Sequence, residues 1–445
     1  MIDLSPEIAT IIMFGGILFL VLFGFPLGFV TGTLALGVGF TVWGFGVGDL
    51  IYQRMFGFIS GYVLLALPLF VFMGTMLEYS GITEKLYDVL YVWLGGFRGG
   101  LAVITVLLGT IIAATVGVIA ASITMLTIVA LPSMLKRGYS KSLAAGAVTA
   151  GGILGILIPP SIMLILYGPM AGVSVGKLFM GAMFPGLTLS TLYIGYISIR
   201  CFIQKDIAPP VPVEERQVPF ATKTYQLLVA LVPTAALIMA VLGVIFFGVA
   251  APSEAAGVGA FASIVLVAAY RRLRWKVIKQ AAITTVFTSG YCALLLAMAV
   301  AFVSVFIGVG GQEVVTRMLL AVPGGKWGTF LVIMFIVFML GMFIDWIGII
   351  LLMVPILIPV TKELGFDQVW FGIMVCVNLQ MAFMTPPVAG GIFVTKGACK
   401  PEWGISMGDI IRGTVPFVGL VMIGLVLFAF FPEIVTWLPT QMVGR

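Results

Sequence analysis

Long stretches of this chain carry no charge. Asp, Glu, Lys and Arg are absent from Gly99 to Leu135 and from Ser142 to Gly176, and Gly328–Thr361 holds a single one, Asp345. Roughly 18 consecutive apolar residues already argue a membrane-spanning helix. Only 9% of the residues are charged and 61% are hydrophobic, against about 25% charged in soluble domains. The expectation is an all-α polytopic membrane protein. A β-barrel would instead show short alternating segments.

Charged punctuation divides the apolar sequence into spans near 8–24, 26–47, 52–79, 142–174 and 178–203. A second set follows near 225–248, 252–270, 281–311, 368–395 and 408–438. The segment around 82–97 reads as an amphipathic connector, and 204–224 (QKDIAPPVPVEERQVPFATKT) as a polar linker. Gly99–Leu135 has 37 residues and Gly328–Thr361 has 34. Two full spans with a turn need about 40 or more, so each block fits a re-entrant hairpin of two half-depth helices. Such backbone survives at depth only when buried in protein or lining a watery cavity. Two short spans are the alternative. Either way each block enters and leaves on one side.

About ten spans plus two hairpins put both termini on the same side. With the 136–141 loop (KRGYSK) inside, 17 of the 23 Lys and Arg fall inside and six outside. That bias places both termini outside the cytoplasm. The net charge of +6 is therefore topological, and a nucleic-acid partner is not expected. The first residues, MIDLSPEIAT, lack the basic start of a cleavable signal peptide. Histidine is absent, which removes the commonest metal ligand and general base. Cys201, Cys292, Cys376 and Cys399 form no CxxC pair and read as buried thiols.

The chain also repeats itself. Pro159-Pro160 in GILIPPSI matches Pro386-Pro387 in AFMTPPVAGG, 227 residues later, and LPSMLKRGY lies over IPVTKELGF at the same offset. ISGYVLLA (59–66) pairs with TSGYCALLLA (288–297), and FGFPLGFVTG (23–32) with FGVAAPSEAAG (247–257), at nearly that offset. Four matches in one order mark two units, 1–203 and 225–445, joined by the 204–224 linker. In the topology above the first hairpin opens inside and the second outside, so the units are inverted. Inverted repeats with discontinuous helices are an architecture of secondary transporters.

Chemistry is expected where helices break. Half-helix N-termini attract anions, and unwound carbonyls coordinate Na+. Four candidate breaks pair through the repeat: TVGVIAAS (115–122), ILIPPS (156–161), GMFIDWIG (341–348) and MTPPVAG (384–390). Prolines free carbonyls of their donors, glycines such as Gly341 and Gly390 admit close approach, and Ser122, Ser161 and Thr385 add hydroxyl oxygens. A kink satisfied by a neighbouring helix is the alternative for any single break. Asp345 is the one ionisable residue of its block. A carboxylate at depth marks function; in two ordinary spans it would be a surface turn. Glu254, beside Pro252 at a helix start, reads as dipole compensation. No ATP site, nucleophile–base pair or metal cluster is legible, so an enzyme is not expected.

LPSMLKRGYSKSLAAGAVTAGGILGILIPPSIMLILYG, GVAAPSEAAGVGA, FIDWIGIILLMVPILIPV and NLQMAFMTPPVAGGIFV resemble the large membrane subunit of tripartite ATP-independent periplasmic (TRAP) transporters over nearly the whole chain. The resemblance implies an elevator-type transporter of the bacterial inner membrane, without a cofactor. The same resemblance implies import of small organic anions on a Na+ gradient. It also implies two protein partners, a small four-helix membrane subunit and a periplasmic binding protein, with membrane lipid around the chain. On this chain it implies Na+ sites at Gly117, Ser122, Pro159, Pro160, Gly341, Asp345, Thr385, Pro386 and Pro387, and substrate contacts at Ser161, Asp345 and Gly390. Where many members carry Gly-Ser at the first tip, this chain has Gly117-Val118, so Ser122 takes the hydroxyl's place. A self-sufficient Na+- or H+-coupled carrier of similar fold is the second reading, and a channel or intramembrane enzyme the third. A channel would not need inverted broken helices.

Overall fold

The computed structural model describes residues 4–116 and 119–442; the tip pair Gly117-Val118 lies outside them. The described residues are helical, with no strand among them. The first half runs α1 (Pro6–Leu22), α2 (Leu27–Trp43), α3 (Gly46–Ile59), α4 (Ala66–Tyr79) and α5 (Ile82–Leu94). Then come α6 (Gly100–Val116), α7 (Ile119–Lys136), α8 (Lys141–Ile153), α9 (Ile162–Ala171) and α10 (Val175–Ile203). The second half runs α11 (Phe220–Phe246), α12 (Pro252–Ala269), α13 (Trp275–Gly308), α14 (Gly311–Leu320) and α15 (Gly325–Gly341). It ends with α16 (Trp346–Glu363), α17 (Gln368–Phe383), α18 (Gly390–Ala398), α19 (Met407–Phe430) and α20 (Glu433–Thr440). Eight helices are long and apolar enough to cross a membrane by length and composition, and several shorter apolar helices accompany them.

Local chemistry sets several starts. Ser5 caps α1 with Pro6 in its first turn, where the missing proline N–H costs no helical bond. The Asp367 carboxylate accepts from the Trp370 amide at 2.8 Å and opens α17. Ser406 and Asp409 cap α19 reciprocally. Glu254 accepts from the Ala251 amide at 3.0 Å, satisfying one of the free N–H groups at the start of α12.

The helices sort into two groups by contact. A frame of α1–α5 and α11–α14 surrounds a second group, α6–α10 with α15–α20, which holds both helix pairs of the uncharged blocks and both Pro-Pro breaks. Packing is reciprocal between the halves. Helix α2 lies on α13 and α12 on α4; α1 on α14 and α11 on α5; α9 on α16 and α18 on α7; α8 on α19 and α17 on α10. The groups meet where α13 faces α16 and where α4 and α5 face α6.

Two elements depart from the sequence expectation. The span expected over 52–79 is two helices joined at Ser60-Gly61 through a 3-10 turn, Tyr62–Leu65. The matching Ser289-Gly290 stays helical inside α13. A Ser-Gly pair weakens a helix by about 1 kcal/mol, so surrounding packing decides the outcome. The short α14 falls in a stretch that shows no apolar run.

The linker after α10 folds back across the base of the first helix pair. Ser140 N–H donates to Ile207 O (2.8 Å), Gly99 N–H to Ala208 O (3.1 Å) and Val211 N–H to Gly95 O (2.8 Å). Arg137, just past α7, pairs with Glu215 and donates to the Tyr91 hydroxyl at 3.0 Å, while Tyr91 donates to Glu215 at 2.9 Å. Those hydrogen bonds, from Arg137 first and Tyr91 second, hold the Glu215 carboxyl below its ordinary range.

Candidate functional site

Each Pro-Pro pair interrupts a helix near its middle. After α8 a 3-10 turn, Leu154–Ile156, leads into Pro159-Pro160, and α9 resumes at Ile162. After α17 the chain passes through Pro386-Pro387 and α18 begins at Gly390. Both Pro-Pro bonds are cis. The second break is tied to the turn between α15 and α16, because Val388 N–H donates to Met342 O at 3.1 Å. Gly341, the last residue of α15, is buried against α17: a Cβ there would lie 2.6 Å from the Ala382 Cβ. No side chain larger than hydrogen fits that contact.

Beside these breaks lies a cavity of about 440 Å³. Its lining includes Ile162, Trp346 and Gly390, which are the first residues of α9, α16 and α18, together with Ile119, the first described residue of α7. Three helix N-termini therefore converge on one space. Each presents amides without intrahelical acceptors and a partial charge of roughly +0.5. Asp345, at the N-cap of α16 in extended conformation, lines the same cavity. It is the one charged side chain among the described lining residues; no Lys or Arg is present. The frame contributes the remaining wall, Phe287, Thr288, Tyr291 and Cys292 of α13.

Of the residues singled out in the sequence, the structure brings Asp345 and Gly390 to the cavity wall. Gly117 lies outside the described residues. Ser122 is fully buried one turn inside α7, and its hydroxyl has no partner among the described residues. Ser161 is also fully buried, but its hydroxyl donates back to Ile156 O and closes the first break; it does not line the cavity. Thr385 donates to Met381 O at 2.8 Å. Pro159 and Pro160 are buried whereas Pro386 and Pro387 are exposed, so the two matching breaks occupy unlike environments. Gln380, one turn before the second break, is fully buried with neither amide atom paired among the described residues. Cys201, Cys292 and Cys376 are buried free thiols, and Cys399 is half-buried.

Thr288 and Tyr291 were not among the expected site residues. Their motif, TSGY, stood out as half of a repeat, and that recurrence was the one signal of its importance.

The sequence model of the tripartite ATP-independent periplasmic transporter DctM component matches residues 14–434. The C4-dicarboxylate TRAP transporter large permease protein DctM of Vibrio cholerae is 30% identical over 421 residues, covering 88% of this chain and 89% of that protein. The isethionate TRAP transporter permease protein DctMQ of Oleidesulfovibrio alaskensis is 28% identical over 388 residues, covering 87% of this chain and 59% of its own length. Among solved structures, the YdaH transporter of Alcanivorax borkumensis superposes with a TM-score of 0.61 over 95% of this chain and 98% of that one, at 15% identity. That last likeness concerns the fold. These relatives are permeases and transporters, not enzymes. With a match running over nearly its whole length, the chain belongs to the DctM component family, the large membrane permeases of tripartite ATP-independent periplasmic transporters.

Proposed function

We propose that this permease imports a small organic anion, driven by a Na+ gradient, from a periplasmic binding protein and in complex with a small membrane subunit. The observation that carries the reading is the convergence of three helix N-termini on one cavity without a cationic side chain among its described lining residues. Aligned helix dipoles stabilise an anion by about 0.3–1 kcal/mol each, and up to ~2 kcal/mol where partly buried. They also release it more readily than a salt bridge would. Helices α8, α15 and α17 end at these breaks, where carbonyl oxygens of the interrupted backbone suit Na+. The buried hydroxyl of Ser122 and the amide of Gln380 add oxygen atoms near the first tip and the second break. The chain then sits in the inner membrane with both termini periplasmic. The α6/α7 and α15/α16 pairs serve as re-entrant hairpins in inverted repeats.

The division into two helix groups supports an elevator movement. The group with both hairpins and both breaks carries the cavity past the frame, and α13 provides the fixed wall. In the topology argued from charge, the exposed second break leads through α18 to Lys396 and Lys400 on the cytoplasmic side. With the first break buried, this reading assigns the arrangement to the inward-facing state of that cycle.

Uptake into proteoliposomes containing the permease and its small subunit tests this reading, with the Na+ gradient and the binding protein each supplied or withheld. Uptake is expected only with both. Transport without binding protein would favour the self-sufficient carrier, and transport indifferent to Na+ would remove the ion assignment.

A further inference from the structure

The frame carries a cavity of its own, of about 390 Å³, between α5 and α11. Residues 82, 85, 88, 89 and 92 share one stripe of α5 at three- and four-residue spacing, while Leu86, Tyr87 and Leu90 are buried in the core. Much of the cavity wall is apolar: Ile82, Val89 and Val92 from α5, Val229 and Ala230 from α11. Its polar groups are Lys85, Asp88, Tyr225, Gln226 and Tyr270. The Tyr270 hydroxyl donates to Val229 O and ties the end of α12 to α11.

Cations gather beside this slot. Arg271, Arg272, Arg274 and Lys276 follow Tyr270 within six residues, and all are exposed. Arg272 reaches the start of α5: its guanidinium lies 4.0 Å from where a Gly81 Cβ would stand, next to Ile82. Glu84 approaches the same point, yet neither it nor Asp88 forms an ion pair with these cations among the described residues. Tyr225 and Trp275, 68% and 76% exposed near the starts of α11 and α13, suit headgroup depth in a membrane. An apolar slot beside unpaired cations at that depth matches a phospholipid, and the cationic excess matches an anionic one. An ethanolamine headgroup would bring a further cation into that excess. We infer that α5, α11 and the turn after α12 form a site for a phosphatidylglycerol-type lipid. Its phosphodiester lies against Lys85 and Arg272, its glycerol hydroxyls against Asp88 and Gln226, and one acyl chain along Val89, Val92 and Val229. In the topology argued from charge this is the cytoplasmic leaflet. The lipid braces α5, which also carries Tyr91, the partner of Arg137 at the base of the first helix pair.

Lipid binding to the purified permease and small-subunit complex in detergent tests this, read by native mass spectrometry and by the melting midpoint. The probes are dioleoyl phosphatidylglycerol, dioleoyl phosphatidylethanolamine and glycerol 3-phosphate. Phosphatidylglycerol is expected to bind about tenfold tighter than phosphatidylethanolamine, and glycerol 3-phosphate to change neither readout. Lys85→Gln/Arg272→Gln removes the phosphate contacts, and Val229→Trp fills the slot from a position already 43% exposed. Each is expected to abolish the preference, whereas Lys400→Gln/Arg412→Gln, the same loss of charge elsewhere, keeps it. Midpoints without lipid report whether each variant folds, and either of the first two decides the matter alone. Equal binding of the two lipids by the parent overturns the inference. So does a preference that survives Val229→Trp, or one lost equally in Lys400→Gln/Arg412→Gln, since charge alone would then explain it. Displacement of the lipid by glycerol 3-phosphate would make this a site for free phosphate and overturn it too. Bound lipid is counted without regard to side, so failure here leaves the transport reading untouched.

Discussion

Helix α8, which leads into the first break, is held against α19 by backbone on backbone. A Cβ at Gly413 would lie 2.0 Å from Ser142 O and 2.9 Å from Gly146 N, and one at Gly146 would lie 2.2 Å from Gly413 O. Ordinary contact begins near 3.4 Å, so Gly413→Ala requires the two axes to part by about 1.4 Å. No flexible side chain is present to yield. Overpacking of this kind costs about 1–3 kcal/mol, against an intrinsic gain of roughly 1 kcal/mol for alanine over glycine in a helix. Gly419, on the same helix, has open space where its Cβ would go, so Gly419→Ala keeps only the gain. The propensity gain is common to both, so the two variants should differ by about 1–3 kcal/mol, with Gly413→Ala melting below the parent and Gly419→Ala at or above it. Melting midpoints of the purified complex in nanodiscs decide this. Gly146→Ala enters the same contact, so the double variant Gly146→Ala/Gly413→Ala should cost clearly less than the sum of the singles. A Gly413→Ala midpoint equal to that of Gly419→Ala, or full additivity with Gly146→Ala, would refute the reasoning.

Asp345→Asn is expected to abolish Na+-coupled uptake while leaving assembly with the small subunit intact, and normal uptake by this variant would remove the carboxylate from the site. Ser122→Ala is expected to leave the melting midpoint within about 0.5 kcal/mol of the parent, since the hydroxyl has no partner among the described residues, yet to weaken Na+ dependence. An unchanged Na+ titration would count against it as a ligand. The Arg137–Glu215–Tyr91 contact gives a pH prediction with a definite sign. Because the folded carboxyl sits below its ordinary 4.5, the contact is complete above that value and is lost as pH falls below it. Hydrogen-exchange protection factors at the Ser140 and Val211 amides, corrected for the intrinsic pH dependence of exchange, should be high at neutral pH and fall under acid, and Glu215→Gln should lower them at neutral pH already.

The uncharged blocks were legible as helix pairs because their lengths allow little else, and Pro-Pro announces a break wherever a helix would otherwise run. The amphipathic α5 follows from its alternation of charge and apolar residues. Three things were not legible, and each depends on neighbours distant in sequence. Ser60-Gly61 separates α3 from α4 while Ser289-Gly290 does not interrupt α13, although the local sequences match. Ser161 carries the hydroxyl expected at the cavity, but the turn formed by the first break directs it to Ile156 O. Thr288 and Tyr291 reach the cavity only because α13 passes the hairpin group at that height.

The two breaks supply the sharpest argument about movement, because the two Pro-Pro pairs matched by the repeat sit in opposite surroundings. Ser161 and Val388 occupy positions related by the 227-residue offset, yet Ser161 is 0% exposed and Val388 46%. In the elevator reading proposed above, the position of the hairpin group against the frame produces that difference. If the repeats are inverted and exchange conformations, the other end of the cycle must bury Val388 and open Ser161. Single cysteines at these positions, in a background with the four native cysteines replaced, make the exchange measurable with a membrane-impermeant maleimide. In the state described here Val388→Cys should react from the cytoplasmic side and Ser161→Cys from neither. Loaded binding protein on the periplasmic side should protect the first and expose the second to periplasmic reagent. Labelling of both cysteines from one side, or no change in either on adding the binding protein, would mean that the asymmetry is a fixed property of the fold and that the cavity does not travel.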